Sequence, residues 1–177
     1  MKKNLLILLF FALIANARAG LLIEPYAGAA LSGSWENGAA DGDYSGSTIG
    51  ARLGFQQLGL FGGLDFRKSS ITLEEDGQSD EDLDATTYAA VVGYDFPILL
   101  RVWGEYIFGG EAELDSIDYK EPSGTILGIG YTGLPFLSVN FEMVNWKYDE
   151  YDAGVISGDT DLEGSHYLLS ISLPLNL

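Results

Sequence analysis

The chain contains no cysteine, one histidine, and nine lysines and arginines against 26 aspartates and glutamates. Without cysteine there are no disulfides, no thiol catalysis and no lipid attachment of the lipoprotein kind. His166 alone cannot build a histidine cluster for zinc. A formal net charge of −17 argues against nucleic acid as a partner. Long apolar runs are also missing. The apolar stretch Leu5–Ala15 is eleven residues, far short of the ~20 that a spanning helix needs.

That short stretch has another reading. Lys2 and Lys3 precede it and Ala17-Arg18-Ala19 follows it, the layout of a secretory signal with a small-x-small cleavage site. Residues 1–19 are therefore expected to be a signal peptide and residues 20–177 one domain. Removing Lys2, Lys3 and Arg18 takes the net charge from −17 to −20.

The rest of the chain alternates with period two. In the last segment Tyr167, Leu169, Ile171, Leu173, Leu175 and Leu177 share one strand face, and His166, Leu168, Ser170, Ser172, Pro174 and Asn176 share the other. Eight such segments are predicted: Leu21–Leu31, Thr48–Phe55, Leu58–Lys68, Thr86–Phe96, Leu99–Phe108, Gly124–Thr132, Leu137–Lys147 and His166–Leu175. The apolar sets are long and continuous, whereas the opposite sets are rich in glycine, serine and charge. Hydrocarbon outside and polar groups inside is the pattern of a transmembrane barrel, where every backbone group must be paired. The fold expected is all-β: an eight-stranded antiparallel up-and-down transmembrane β-barrel of a Gram-negative outer membrane.

The connections agree. Short turns are predicted at Gln56-Gln57, Pro97-Ile98 and Leu134-Pro135, and four long loops at Ser32–Ser47, Ser69–Ala85, Gly109–Ser123 and Tyr148–Ser165. Those four segments hold 21 of the 26 carboxylates. Short periplasmic turns and long extracellular loops are usual in outer-membrane barrels, and an even strand number leaves both termini on the periplasmic side. Outward aromatics fall in two bands. Phe55, Tyr94, Phe96 and Tyr131 lie near the short turns, and Phe66, Tyr88, Tyr106, Phe108 and Tyr167 near the long loops. Two membrane interfaces favour such girdles.

The inward parity collects Glu24, Arg52, Asp65, Arg67, Asp95, Arg101, Glu105 and Glu142, with Asn140 and His166. Acids and arginines in a narrow space should pair, because an unpaired buried charge is costly, and arginine takes carboxylates two hydrogen bonds at a time. An eight-stranded barrel has little room beyond its own side chains. A self-satisfied polar plug is the expectation; a gated ion path is the functional alternative.

Three acidic patterns resemble calcium loops: Asp41-x-Asp43-x-Ser45-Gly46, Asp159-x-Asp161-x-Glu163-Gly164 and Asp80-x-Asp82-x-Asp84. They lack the twelfth-position glutamate of the helical calcium loop, so weakly held counterions are the expectation and specific calcium sites the alternative. His166 beside Ser165 and near Glu163 suggests a lipid-modifying enzyme. Strand neighbours face opposite ways, however, so the two side chains would not meet. Lys68 and Lys147 project outward above the upper girdle, where they could meet lipopolysaccharide phosphates or merely snorkel.

Several stretches carry a family likeness. They are Glu24-Pro25-Tyr26-Ala27-Gly28-Ala29-Ala30, Val92-Gly93-Tyr94-Asp95-Phe96-Pro97, Leu100-Arg101-Val102-Trp103-Gly104-Glu105-Tyr106 and the alternating final strand. Through them the chain resembles the small OmpA-like and OmpX-like outer-membrane barrels over its whole mature length. The resemblance implies membrane scaffolding, adhesion, surface defence or passage of small apolar molecules. The chain stops after the last strand, so tethering to peptidoglycan is not expected, and it ends in Leu177 where relatives commonly end in an aromatic.

The function expected is a non-catalytic integral barrel that presents four acidic extracellular loops. A narrow channel or transporter for small apolar molecules or ions is the first alternative, and a lipid A-modifying enzyme the second. Partners expected are outer-membrane lipids including lipopolysaccharide, with extracellular ligands or divalent cations at the loops. A monomer without cofactor is expected.

Overall fold

The computed structural model describes residues 20–38, 40–74, 81–114, 117–154 and 156–177. The expected signal peptide, residues 1–19, and the carboxylates Glu75, Asp76, Asp80 and Asp115 lie outside them. Eight long strands follow one another: β1 Gly20–Asn37, β2 Ala40–Gln57, β3 Leu60–Glu74, β4 Glu81–Phe96, β5 Leu100–Leu114, β6 Ile117–Leu134, β7 Leu137–Asp152 and β8 Ser157–Ser172. Each pairs antiparallel with its sequence neighbour, and β8 pairs with β1 to close the barrel. A two-residue strand, β9 (Leu175–Asn176), continues β8 along β1 in the same register, Leu22 opposite Asn176 just as Tyr26 is opposite Ser172. Pro174 has no N–H, which accounts for the formal break between β8 and β9. The protein is a closed, eight-stranded, antiparallel up-and-down β-barrel.

The short connections cluster at one end. Leu58 and Gly59 both have positive φ (51° and 85°), as a two-residue hairpin turn requires. The first turn therefore sits two residues beyond the predicted Gln56-Gln57, both of which are in strand. The start of β1 meets Leu177 here too: Leu21 and Leu177 exchange backbone hydrogen bonds of 2.9 and 3.0 Å.

Most of the described residues in the four expected long loops are strand. The β1 and β2 ladder runs to Asn37 opposite Ala40, the β5 and β6 ladder to Leu114 opposite Ile117, and the β7 and β8 ladder to Asp152 opposite Ser157. Strands of 15 to 18 residues outrun the 9–11 that cross a membrane. The excess is a barrel wall whose polarity is inverted. Tyr44, Ile71, Leu73, Leu83, Ala85, Tyr119, Tyr148 and Leu162 point inward and are buried. Asp43, Ser70, Glu74, Asp82 and Asp84 alternate with them and are exposed. These alternations keep the strands going, because a buried face makes register specific.

Below this wall the polarity is that of the sequence reading. Large apolar side chains stay exposed on every strand, among them Leu53, Leu64, Val92, Val102, Ile129, Phe141, Leu169 and Ile171. Along β8 and β9 the belt runs from Tyr167 to Leu175. That is about 27 Å of strand, or about 21 Å of height at a tilt of ~40°, against the ~25 Å apolar band of such barrels. All nine girdle aromatics are exposed. Phe66 and Tyr88 meet edge to face at 5.8 Å, and Tyr94 and Phe96 at 4.9 Å.

Candidate functional site

Five carboxylates lie outside the four acidic segments, and all five enter the lower interior: Glu24 from β1, Asp65 from β3, Asp95 from β4, Glu105 from β5 and Glu142 from β7. Arg52 (β2), Arg67 (β3) and Arg101 (β5) stand among them. Seven of these eight residues are buried, and Asp95 is half-buried. Period two puts each on the inner face; closure of the barrel brings together residues up to 118 positions apart.

The contacts fall into two groups. Nearer the short turns, the Arg101 guanidinium grips Asp95 through Nε and, at 2.7 Å, through Nη2. Its Nη1 donates to Glu24 Oε2 at 2.5 Å. Gln56 Nε2 donates to Asp95 at 2.5 Å, and Ser172 Oγ donates to Glu24 Oε1 at 2.6 Å. Above them Arg52 donates to Glu105 Oε1 (3.1 Å) and Glu142 Oε1 (2.5 Å). Arg67 Nη2 donates to Glu142 Oε2 (2.9 Å) and Asp65 Oδ2 (3.2 Å). Arg52 Nη1 lies 3.5 Å from Glu24, which links the two groups.

Aromatic side chains complete the cage. The Arg52 guanidinium lies between the rings of Tyr26 and Trp103, 4.7 and 4.6 Å from their centres, and Arg101 lies over Phe61 at 4.8 Å. Tyr26 Oη donates to Asp65 at 2.7 Å. Glycine makes room for these rings: a Cβ at Gly128 would sit 2.1 Å from Trp103, and one at Gly50 2.4 Å from Tyr26. Tyr26, Trp103, Phe61 and Gln56 were not among the interior residues read from the sequence. Tyr26 follows Glu24 by two and Trp103 follows Arg101 by two, so parity alone would have found them.

The interior above is apolar. Ile107, Ile126, Val144, Trp146, Tyr44, Tyr148, Leu73, Leu83 and Leu162 form one buried cluster that fills the upper barrel. His166 sits at its lower boundary. Trp146 Nε1 donates to Tyr44 Oη at 3.0 Å, so the single hydroxyl hydrogen of Tyr44 is free to donate to His166 Nδ1 at 2.6 Å. The imidazole is thus engaged by Tyr44. Ser165 is exposed on the other face of β8, away from it.

Outside, two of the three calcium-like patterns are strand faces, and the third includes Asp80, outside the described residues. Asp41, Asp43 and Ser45 are outward residues of β2, and Asp159, Asp161 and Glu163 of β8. A straight strand does not curl its own residues round a cation as the helical calcium loop does. Lys147 bonds Asp149 (3.1 Å) and Asp161 (3.3 Å), and Lys120 bonds Asp152 (2.8 Å). These bonds hold the Lys120 ammonium above its ordinary range and the Asp152 carboxyl below its own. Glu36 faces Glu163 directly across β1 and β8. Hydrogen bonding and repulsion between the two carboxyls raise the Glu36 value.

The fold is shared with a solved structure. Neisserial surface protein A, an eight-stranded outer-membrane barrel, matches with a TM-score of 0.65 and 10% sequence identity, over 88% of this chain and 97% of that one. The translocator domain of the autotransporter NalP from Neisseria meningitidis matches with a TM-score of 0.41 and 18% identity, over 98% of this chain and 68% of that one. No protein-family model and no curated protein sequence matches the chain.

Proposed function

Starting from the fold of a small outer-membrane barrel, we propose that this protein is an integral outer-membrane protein. Residues 1–19 act as its export signal, and a sealed barrel carries an acidic wall at the cell surface. Its role is display and surface interaction, without catalysis. The observation that carries this reading is the stacking of two different fillings in one barrel. The lower half is closed by eight charged residues bonded to one another, and the upper half by a dry aromatic and aliphatic cluster. An ion path needs polar groups along its length; here the cluster around Ile126 and Val144 interrupts them. The outer wall, by contrast, is long, regular and charged, which suits recognition from outside.

Planar-bilayer recording tests the sealed interior. Purified, folded barrel should give no conductance above the bilayer background. Replacing the apolar cluster with serines (Ile126→Ser with Val144→Ser) should not open one either, because the arginine and carboxylate layer remains below. Steady unitary currents from the unmodified protein would end the display reading in favour of a channel. The orientation is tested separately: a cysteine placed at Gly38 should react with a membrane-impermeant maleimide in intact cells.

A further inference from the structure

The short-turn end of the barrel is apolar where turns are ordinarily polar. Its three connections are Leu58-Gly59, Pro97-Ile98-Leu99 and Pro135-Phe136. Leu58, Ile98 and Phe136 are 90%, 70% and 83% exposed, and Leu99 is exposed as well. Leu58, Leu99 and Phe136 also have positive φ (51°, 65° and 64°). A bulky side chain is an outlier in that conformation, which glycine, asparagine and aspartate adopt at less cost. Those three would also be better hydrated. Each turn thus combines a strained backbone with an apolar side chain held out from the barrel, and strain retained in this way points to a role.

The surface around the turns is uncharged. Among the described residues, every charged side chain in the lower part of the strands belongs to the interior network described above. Asp95, the half-buried one, is held by Arg101 and Gln56. A docking patch for a soluble protein has an apolar centre inside a polar rim. This surface has no charged rim and runs without a break into the apolar belt.

The height of the belt shows what covers the turns. On β8 and β9 the outward face is apolar from Tyr167 down, and above Tyr167 it changes to the exposed Ser165 and Glu163. Ended at Leu175, this face falls short of the ~25 Å apolar band of an outer-membrane barrel. Carried on to Leu177, which is 76% exposed at the turn end, it covers about 34 Å of strand, or about 26 Å of height at a tilt of ~40°. The membrane is matched once the level of the turns is included.

We propose that the short-turn end is a lipid-binding surface. Leu58, Ile98, Leu99 and Phe136 are immersed in the adjoining leaflet, and removing them from water offsets the cost of the backbone that holds them out. The barrel then has no water-exposed stub on that side, and its acidic end is the surface that soluble partners meet. The inference rests on the membrane placement proposed above.

Depth measurement by spin labelling tests it. The chain has no cysteine, so single cysteines are labelled cleanly. Leu58→Cys and Phe136→Cys report on the turns, Leu169→Cys on the belt and Gly38→Cys on the opposite end. Each mature barrel is refolded and placed, one per disc, in phosphatidylcholine nanodiscs, which leave both membrane faces open to solvent. Oxygen collects in lipid and a nickel chelate stays in water. Labels at 58 and 136 should collide more with oxygen than with nickel, as at 169, and the label at 38 should show the reverse. Nickel-dominated collisions at 58 and 136, with 169 still dominated by oxygen, would overturn this inference alone. A single barrel per disc has only lipid to cover it, so an end that needs a second copy or a soluble partner gives that same result. Nickel-dominated collisions at 169 as well would defeat the membrane placement itself. Should the two turn variants not fold, Ile98→Cys, where φ is not positive, reports from the same end with the same two outcomes.

Discussion

Arg67 Nη2 carries two hydrogens and has three carboxylate oxygens around it: Glu142 at 2.9 Å, Asp65 at 3.2 Å and Glu105 at 3.6 Å. Glu105 Oε2 is the one left out, and it finds no hydrogen-bond partner among the described residues. The lower interior also holds five carboxylates against three guanidiniums. Removing charge from Glu105 should therefore cost little. We expect Glu105→Gln to hold or raise the urea midpoint of unfolding from lipid vesicles. Glu142→Gln should lower stability by about 1–3 kcal/mol, because two guanidiniums lose a charged acceptor. Arg52→Met should cost about 3–5 kcal/mol, since it strands buried carboxylates without their cation. Equal losses from the two glutamine variants would refute this donor bookkeeping.

At the scale of an element, each strand changes its inside and outside halfway along. On β8 Leu169 faces outward in the belt, whereas Leu162, seven residues earlier, is buried in the upper cluster. The same residue type thus answers to two solvents. Leu169→Arg should cost about 2–4 kcal/mol, as a charge on the lipid face near mid-membrane does. Leu83→Ala, which empties space in the upper cluster, should cost about 2–5 kcal/mol. Transferring the barrel from lipid to detergent micelles should soften the first effect and leave the second. A penalty for Leu83→Ala that tracked the surrounding amphiphile would show that the upper wall is not a dry core.

The pairing of β8 with β1 makes a pH-sensitive contact as well. The Glu36 value is raised by its neighbour Glu163, so the folded barrel binds that proton more tightly than the unfolded chain. Stability from this contact is complete below the ordinary carboxylate range and declines as pH rises through the Glu36 value. Side-chain carbon NMR should find Glu36 titrating above the usual range. Glu163→Gln should bring it back toward that range, and salt should narrow the difference because both groups are exposed.

For the whole molecule, the described residues extend the barrel wall into the segments expected to be four long loops. Glu36, Glu111, Glu113 and Glu163 all lie in paired strands. A glutamate-specific protease applied to folded protein should leave these bonds intact at enzyme levels that digest the unfolded chain, because a paired backbone cannot enter a protease cleft. Rapid cleavage after Glu111 or Glu163 would restore the loop description. For the proposed display role, a stiff wall changes what is displayed. It presents a fixed pattern of carboxylates, where mobile loops would present an average one.

Alternation of side chains was enough to read the number of strands, their order and which side chains stay exposed on the lower wall, because a strand has only two faces. The polarity of the upper segments misled the same reading. Their acid content suggested loops, while Ile71, Leu73, Leu83 and Leu162 kept period two within them. Which inward residues meet was decided by tertiary structure alone. Arg52 finds Glu142, and Tyr44 finds His166, only because closing β8 on β1 fixes the stagger of all eight strands at once. No local rule in a sequence carries that stagger, since it is a property of the closed ring.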